Sequence, residues 1–282
     1  MDDTVRLYVV ATPIGNLSDL SPRAVEVLQT VDLIACEDTR TTGRLLKHIH
    51  SSVPTISYHQ HNEESRSEQL LEMMLQGKTL AVVSDAGMPG ISDPGERLIA
   101  KAVDQGLPLS VLPGPCAFLT ALVGSGLPAS RFSFIGFLEK NRSARRAELQ
   151  AFSQREETLI FYEAPHRLKE TLALFHEVFG DRRACLAREL SKLHEEYERG
   201  PLGELAQRYE TKTPRGEYVL ILEGFTQAQR EDEARAHEAA YTVREDVLAA
   251  LKQGCSKKEA IKQVARARGL SKNQVYQEVL DL

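Results

Sequence analysis

Leu80-Ala-Val-Val-Ser-Asp-Ala-Gly-Met-Pro-Gly-Ile-Ser-Asp-Pro-Gly95 decides how the chain folds. Its first four residues are apolar and half of them β-branched. The run is too short for a helix and is closed at once by turn formers, so it reads as a buried strand. The loop that follows, Ser84–Gly95, carries three glycines and two prolines. Glycine lets a backbone approach a ligand closely, and proline holds a loop in shape beforehand. Asp93-Pro94 sets a capping side chain before a proline at a first helical position, which predicts a helix over Pro94–Gln105.

The same strand, loop and helix grammar extends outward in both directions. Strand-like runs are VRLYVVA (5–11), LIAC (33–36), LAVVSDA (80–86), LSVLPG (109–114), FSFIGF (132–137), TLIFYE (158–163), ACLARE (184–189) and EYVLILE (217–223). Amphipathic stretches Ser21–Val31 and Glu63–Gln76 fall between them, the first opened by Ser21-Pro22. Strands separated by helices define an α/β architecture. GSGLPAS (124–130) interrupts the pattern and predicts a division into an α/β domain over 1–124 and a second over 125–225. Residues 226–282 form a charged helical connector, TQAQREDEARAHEAA, followed by a small helical bundle.

The chain has 282 residues, 42% of them hydrophobic, and a formal net charge of −5. That length supports a core without disulfide or metal staples. No apolar run reaches the ~18–20 residues of a membrane span, and the N-terminus carries Asp2 and Asp3 where a secretory signal carries bases. Cys36, Cys116, Cys185 and Cys255 are widely spaced with no CxxC pair. This suits reduced thiols in a cytoplasmic protein that contacts no membrane.

In the bundle, Thr242-x-x-Glu245, Ser256-x-x-Glu259 and Ser271-x-x-Gln274 are three successive capping boxes, each opening a short helix. Val247, Leu248 and Leu251, then Ala260, Ile261 and Val264, then Val275, Val279 and Leu280 supply three apolar faces. The pattern resembles a helix-turn-helix module. Residues 242–282 hold eight Lys and Arg against five acids, so this tail is basic within an acidic chain. Lys257, Lys258 and Lys272 are candidates for contact with nucleic acid, or are simply solvated.

Four loops converge on chemistry: Ala11–Asn16, Ser84–Gly95, Leu112–Ala117 and Tyr162–Arg167. In open α/β sheets, ligands sit beyond the carboxyl ends of strands, where such loops meet. No glycine in them precedes a lysine as a P-loop requires. Gly124-x-Gly126-x-x-Ala129 follows a helical stretch and contains Pro128, which excludes a dinucleotide fingerprint. A Gly-x-Ser-x-Gly elbow is absent. The His48/His50 and His59/His61 pairs lack an evident third ligand, so no metal is expected. What remains is a neutral or cationic small molecule held by backbone groups and one or two acids. Asp85, at a strand end, suits an amine or ribose hydroxyls.

Taken together, LYVVATPIGNLSDLS at the start, ACEDTR (35–40), VSDAGMPGISDPG (83–95), LPGPCA (112–117), FIGFL (134–138), FYEAPHRL (161–168) and ARELSK (187–192) resemble the tetrapyrrole-methylase superfamily of S-adenosylmethionine-dependent methyltransferases. The resemblance covers essentially the whole chain. It implies a two-domain, non-Rossmann α/β methyltransferase with its cofactor in the cleft between the domains, and a homodimer. The branch it resembles methylates a cytidine ribose 2′-hydroxyl of 16S rRNA, so the implied partner is 16S rRNA or the small ribosomal subunit. Carried over by motif, Pro13, Asp85, Ala86, Gly87, Met88, Pro113, Gly114, Pro115, Cys116, Ala117, Tyr162, Glu163, Ala164, Ala187 and Arg188 line the cofactor. The basic loop Lys140, Arg142, Arg145 and Arg146 becomes a set of phosphate contacts, against a plain reading as a solvated helix start.

A sugar hydroxyl is a poor nucleophile, so a base or a cation at the cleft is needed. Glu37, Glu163, Arg188 and Lys192 are the leading candidates, with Asp38, Arg40, His166 and Glu189 also in motif positions. A helical turn in ARELSK would set Arg188 and Lys192 on one face. Glu37 and Arg40 have a plainer reading as an ion pair, and His166 as a helix cap. Two other functions stay open: methylation of a tetrapyrrole or protein side chain, and a ligand-sensing helix-turn-helix regulator.

Overall fold

The computed structural model describes residues 4–227, 229–231, 241–280 and 282. Contacts divide the chain into one unit ending at Gly224 and another beginning at Phe225.

The first unit holds two five-stranded sheets. The first sheet comprises β1 (Leu7–Val10), β2 (Leu33–Cys36), β3 (Thr55–Ser57), β4 (Leu80–Val83) and β5 (Leu109–Leu112), in the order β3-β2-β4-β1-β5. Every pair is parallel. Parallel neighbours require crossovers, supplied here by α1 (Pro22–Thr30), α2 (Thr39–His48), α3 (Glu63–Leu75) and α4 (Glu96–Asp104). Alternate residues of each strand face opposite layers. Tyr8, Val10, Ala81 and Val83 pack on Val27 and Leu28 of α1 and Leu45 and Leu46 of α2. Leu7, Val9, Leu80 and Val82 pack on Leu70 and Met74 of α3 and Leu98 and Ala102 of α4. Burial on both faces is why these strands read as unbroken apolar runs.

The second sheet, β6 (Phe132–Phe137), β7 (Thr158–Glu163), β8 (Arg183–Arg188), β9 (Glu196–Pro201) and β10 (Tyr218–Leu222), has the order β6-β7-β10-β8-β9. Only β6 and β7 run parallel; the other neighbours are antiparallel. Phe161, Leu186, Leu220 and Leu222 face a layer that includes α7 (Pro165–Phe179) and α8 (Leu202–Thr211), with Leu149 of α6 (Arg142–Phe152). Ile160, Cys185, Ala187 and Ile221 face Ala121 and Leu122 of α5 (Ala117–Ser125).

All eight expected strand runs form strands, and β3 and β9 are additional. Three residues are too few to show a period, and EYERGP carries charge because β9 is an edge strand. α5 starts before the Gly124–Ser130 break and ends within it, yet packs on β7, β8 and β10. The change of sheet therefore comes in the loop after β5 rather than at Gly124. Ser21 caps α1 as expected, accepting from the Ala24 amide at 3.1 Å. Asp93 does not cap α4: that helix starts at Glu96 with Gly95 as its cap. All four cysteines are free thiols.

In the second unit, α9 (Val243–Lys252), α10 (Lys257–Ala267) and α11 (Lys272–Glu278) each start with a reciprocal capping box at Thr242, Ser256 and Ser271. Val247, Ala250, Ala260, Ile261, Val264, Val275 and Val279 form its core, while Leu280 is exposed. Arg268 holds Asp246 through Nε–Oδ2 at 2.6 Å, tying the end of α10 to α9. The connector expected over 226–240 lies mostly outside the described residues; Gln227 and residues 229–231 are helical.

Phe161 is fully buried, edge-on to Phe175 at 4.9 Å between ring centres. Phe161→Ala is expected to lower the stability of the first unit by about 4 kcal/mol, read from the shift of its urea midpoint.

Candidate active site

The loops at the carboxyl ends of the first sheet face the second sheet across a cleft of ≈ 520 Å³. That volume suits a nucleoside-sized ligand. From the first sheet come Ile14 after β1, Glu37 after β2, Asp85–Met88 and Ile91–Asp93 after β4, and Cys116 after β5. The facing wall is Phe137 of β6, Tyr162 of β7, Ala187–Leu190 and Lys192 at the end of β8, and Gly216–Val219 at the start of β10. The loops after β1 and β4 are tied together: the Thr12 and Gly87 amides exchange hydrogen bonds at 2.8 and 3.0 Å. The Thr12 hydroxyl also donates to the Ser84 carbonyl at 3.0 Å.

Carboxylates dominate the electrostatics. Burial pushes Glu37 above the usual carboxylate range, and the neighbouring Asp85 adds to the effect. Asp85 is itself raised by burial, although it accepts from the Asp38 amide at 3.2 Å. Asp93 is pushed up to about 6, first by burial and then by repulsion from Glu37, Asp85 and Glu217. The two cations of the lining are already engaged. Arg188 Nε donates to Glu196 at 2.6 Å, and Lys192 Nζ donates to Glu189 at 3.0 Å. The cleft therefore presents negative charge beside an apolar wall that includes Phe137 and Tyr162, whose rings lie 5.5 Å apart.

Of the expected site residues, the fold brings Glu37, Asp85, Ala86, Gly87, Met88, Cys116, Ala117, Tyr162, Ala187, Arg188, Glu189 and Lys192 into this lining. Pro13, Pro113, Gly114, Pro115 and Ala164 lie outside it. Glu163 is a clear correction. Strand alternation turns Tyr162 to the cleft and Glu163 to the opposite layer, where Glu163 is 1% exposed. There it accepts from the Thr171 hydroxyl at 2.5 Å and the Ala164 amide at 2.9 Å and pairs with Arg167 at 3.3 Å. Arg167 in turn donates to the Leu138 and Glu139 carbonyls, both at 3.0 Å. Glu163 thus anchors the backbone that carries Phe137 and Tyr162, and it cannot act as a base on a ligand in the cleft.

Other expectations also change. ARELSK forms no helical turn: Arg188 ends β8, and the following turn holds Glu189 and Ser191 at φ 52° and 63°. Arg40 pairs with Asp38, not Glu37, and Asp38 caps α2. His166 is an exposed residue in the first turn of α7, whose cap position is Ala164. Arg145 is 2% exposed, donating to Thr171 at 2.9 Å and pairing with Glu170, so it is no phosphate contact. Arg142 and Arg146 face Glu170 and Glu177, whereas Lys140 is exposed. Lys257 lies over the Tyr276 ring at 5.8 Å, and Lys258 and Lys272 are exposed. Among the described residues no group of His, Cys, Asp and Glu could hold a metal ion, and no helix is long and apolar enough to cross a membrane.

Ile14, Ile91, Ser92, Asp93, Phe137 and Gly216–Val219 line the cleft without having been singled out. Asp93 was hidden by the Asp-Pro pair that mimics a helix cap. Gly216 and Glu217 precede their strand. They reach the cleft because β10 is antiparallel to β7, so its amino end lies beside the carboxyl end of β7. Direction within a mixed sheet leaves no mark on a single strand's residues.

Residues 6–206 match the family described as Tetrapyrrole (Corrin/Porphyrin) Methylases, and the chain belongs to that family. Residues 244–282 match the RsmI C-terminal HTH domain. Within the family the chain groups with proteins named ribosomal RNA small subunit methyltransferase I. The one from Synechocystis is 44% identical over 98% of this chain and 98% of its own, and the one from Bacillus subtilis 43% identical over 96% and 92%. Two solved structures share the fold of the first unit. The methyltransferase CobJ has a TM-score of 0.60 at 19% identity over 78% of this chain and 94% of its own. Uroporphyrin-III-C-methyltransferase from Thermus thermophilus has a TM-score of 0.56 at 18% identity over 77% and 94%.

Removing the Glu163 carboxylate strands buried donors of Thr171 and Arg167. Glu163→Ala is expected to cost about 3 kcal/mol of stability, measured by denaturant unfolding, whereas Glu163→Gln retains a larger share of it.

Proposed function

We propose that this chain transfers a methyl group from S-adenosylmethionine to the 2′-hydroxyl of a cytidine ribose in 16S rRNA of the small ribosomal subunit. The observation that carries the reading is the cleft: acidic groups facing an apolar wall at the carboxyl ends of a parallel sheet, with its lysine and arginine already neutralised by Glu189 and Glu196. These residues fit a cationic nucleoside donor. Tyr162 and Phe137 offer ring faces to a base, and Asp85 and Glu37 offer acceptors to hydroxyls and a cation. The polyphosphate of a dinucleotide would meet only repulsion here. S-adenosylmethionine, when bound, supplies a methyl group activated by a sulfonium. The chain's own task is to hold acceptor oxygen, methyl carbon and sulfur in line and to shed water from the site. The names of the relatives support rRNA as the acceptor. So does the basic segment 242–282, for which a porphyrin methylase has no need. In this reading Lys140, Lys258 and Lys272, with the Lys257–Tyr276 pair, contact phosphate or base.

The chain acts as a homodimer. α5 contains no charged residue, and while Ala121 and Leu122 are buried against the second sheet, Leu119 and Val123 stand 42% and 77% exposed. Large apolar side chains standing together on the outer face of an uncharged helix are normally covered, and a second copy supplies the cover.

Two measurements test these readings. With labelled donor and either 30S subunits or free 16S rRNA, digestion is expected to yield 2′-O-methylcytidine. A chain lacking 242–282 should keep donor affinity but lose at least about tenfold in rate, the loss of phosphate contacts. Label in a base, in protein, or only in a porphyrinogen would replace the acceptor. Val123→Arg is expected to convert dimer to monomer in sedimentation, and an unchanged dimer would place the interface elsewhere.

A further inference from the structure

We propose that Asp93 is the group that accepts the ribose hydroxyl proton during methyl transfer, an inference that rests on the function proposed above. An Asp-Pro pair one residue from a helix would ordinarily serve that helix, yet Gly95 occupies the cap position of α4 and the Asp93 side chain lines the cleft. The backbone takes an unusual shape to achieve this. Ser92 sits in the left-handed region at φ 62°, which costs a non-glycine residue, and Gly95 supplies φ 142°, which only glycine adopts freely. The turn closes through the Gly90 amide, which donates to the Pro94 carbonyl at 3.2 Å. It is anchored by the Gly95 amide, which donates to Glu63 at 3.1 Å. It is also pressed against the second sheet: the register of β6 shifts between Phe134 and Gly136, and a Cβ on Gly136 would meet the Ser92 hydroxyl at 3.1 Å. Fixed from both sheets, the turn at Gly90–Gly95 presents the Asp93 carboxylate to the site.

The surroundings suit a base. Glu37 from the end of β2, Asp85 from the end of β4 and Glu217 from the start of β10 all repel charge on Asp93, Tyr162 of β7 lies within its field, and the nearby Ser84 hydroxyl acts in the opposite sense, lowering its pKa. Across the cleft, Arg188 and Lys192 are committed to Glu196 and Glu189. Of the cleft carboxylates, Asp93 is displaced furthest, towards the working range of a general base near neutrality. A cationic donor seated among these acids favours their ionised forms. In the transfer the hydroxyl O–H bond breaks and its proton passes to an Asp93 oxygen. A C–O bond forms to the methyl carbon, and the C–S bond breaks with its electron pair left on sulfur. The site loses one positive charge as Asp93 gains a proton, so repulsion among the acids pulls the proton in the required direction.

Asp93→Asn is expected to lower kcat on 30S subunits by roughly 100-fold. It should leave the donor KM within about threefold and abolish the acid limb of the pH–rate profile, while Asp93→Glu recovers part of the rate with the limb retained. An unchanged thermal melt confirms that the Asn variant is folded. A second readout needs no turnover. Near pH 6, calorimetry in two buffers of different ionisation enthalpy should show proton release when the wild type binds S-adenosylmethionine, and little on binding the neutral S-adenosylhomocysteine. The difference disappears in Asp93→Asn. A variant within fivefold of wild type, one that keeps the acid limb, or one whose loss lies wholly in donor affinity overturns the proposal alone. A wild-type enzyme that places no methyl on ribose removes the functional reading and the proposal with it.

Discussion

A β-strand can show only every second side chain to one side, and that parity organises this molecule. In β7 it sends Phe161 and Glu163 into the layer beneath α6 and α7, and Tyr162 into the cleft. In β8 and β10 the same rule puts Ala187 and Val219 on the ligand side. A motif such as YEAPHR is therefore two sets of residues with different work. Tyr162 meets the ligand, while Glu163 and Arg167 lock the backbone on which Tyr162 and Phe137 are mounted. A slip of one residue in β7 would exchange these roles and bury a phenol where a carboxylate is now satisfied.

The second constraint is electrostatic and is created by the first. Glu37 after β2 and Asp85 and Asp93 after β4 share one small volume, where burial raises all three, Asp85 adds to the shift of Glu37, and both add to that of Asp93. Burial keeps water from screening these charges, so they act on one another more strongly than a solvated surface pair does.

Much of this was legible beforehand, for reasons that can be named. Strands buried on two faces leave continuous apolar runs, so the frames of both sheets could be read directly. Capping boxes are local, so Thr242, Ser256 and Ser271 announced the three terminal helices without help from tertiary structure. Loops rich in glycine and proline pointed to the carboxyl ends of the first sheet, where the cleft lies. What could not be read was set by relations between distant segments. Strand direction brought Glu217 to the cleft, the packing of α6 on α7 buried Arg145 beside Thr171, and the three residues of β3 form a strand through their pairing with β2. Asp93 failed for the opposite reason: its local signal was strong and pointed to a cap, while the fold spends that residue on the site.

The close approach at Gly15 has a consequence for how the cleft can change over time. A Cβ at that position would fall 2.4 Å from Cγ of Lys192, a residue far along the chain on the opposite wall. Any larger residue at 15 would push the lysine from Glu189. The first loop and the β8 turn are thus bound to drift as a pair, each permitting only those replacements that the other has already accommodated.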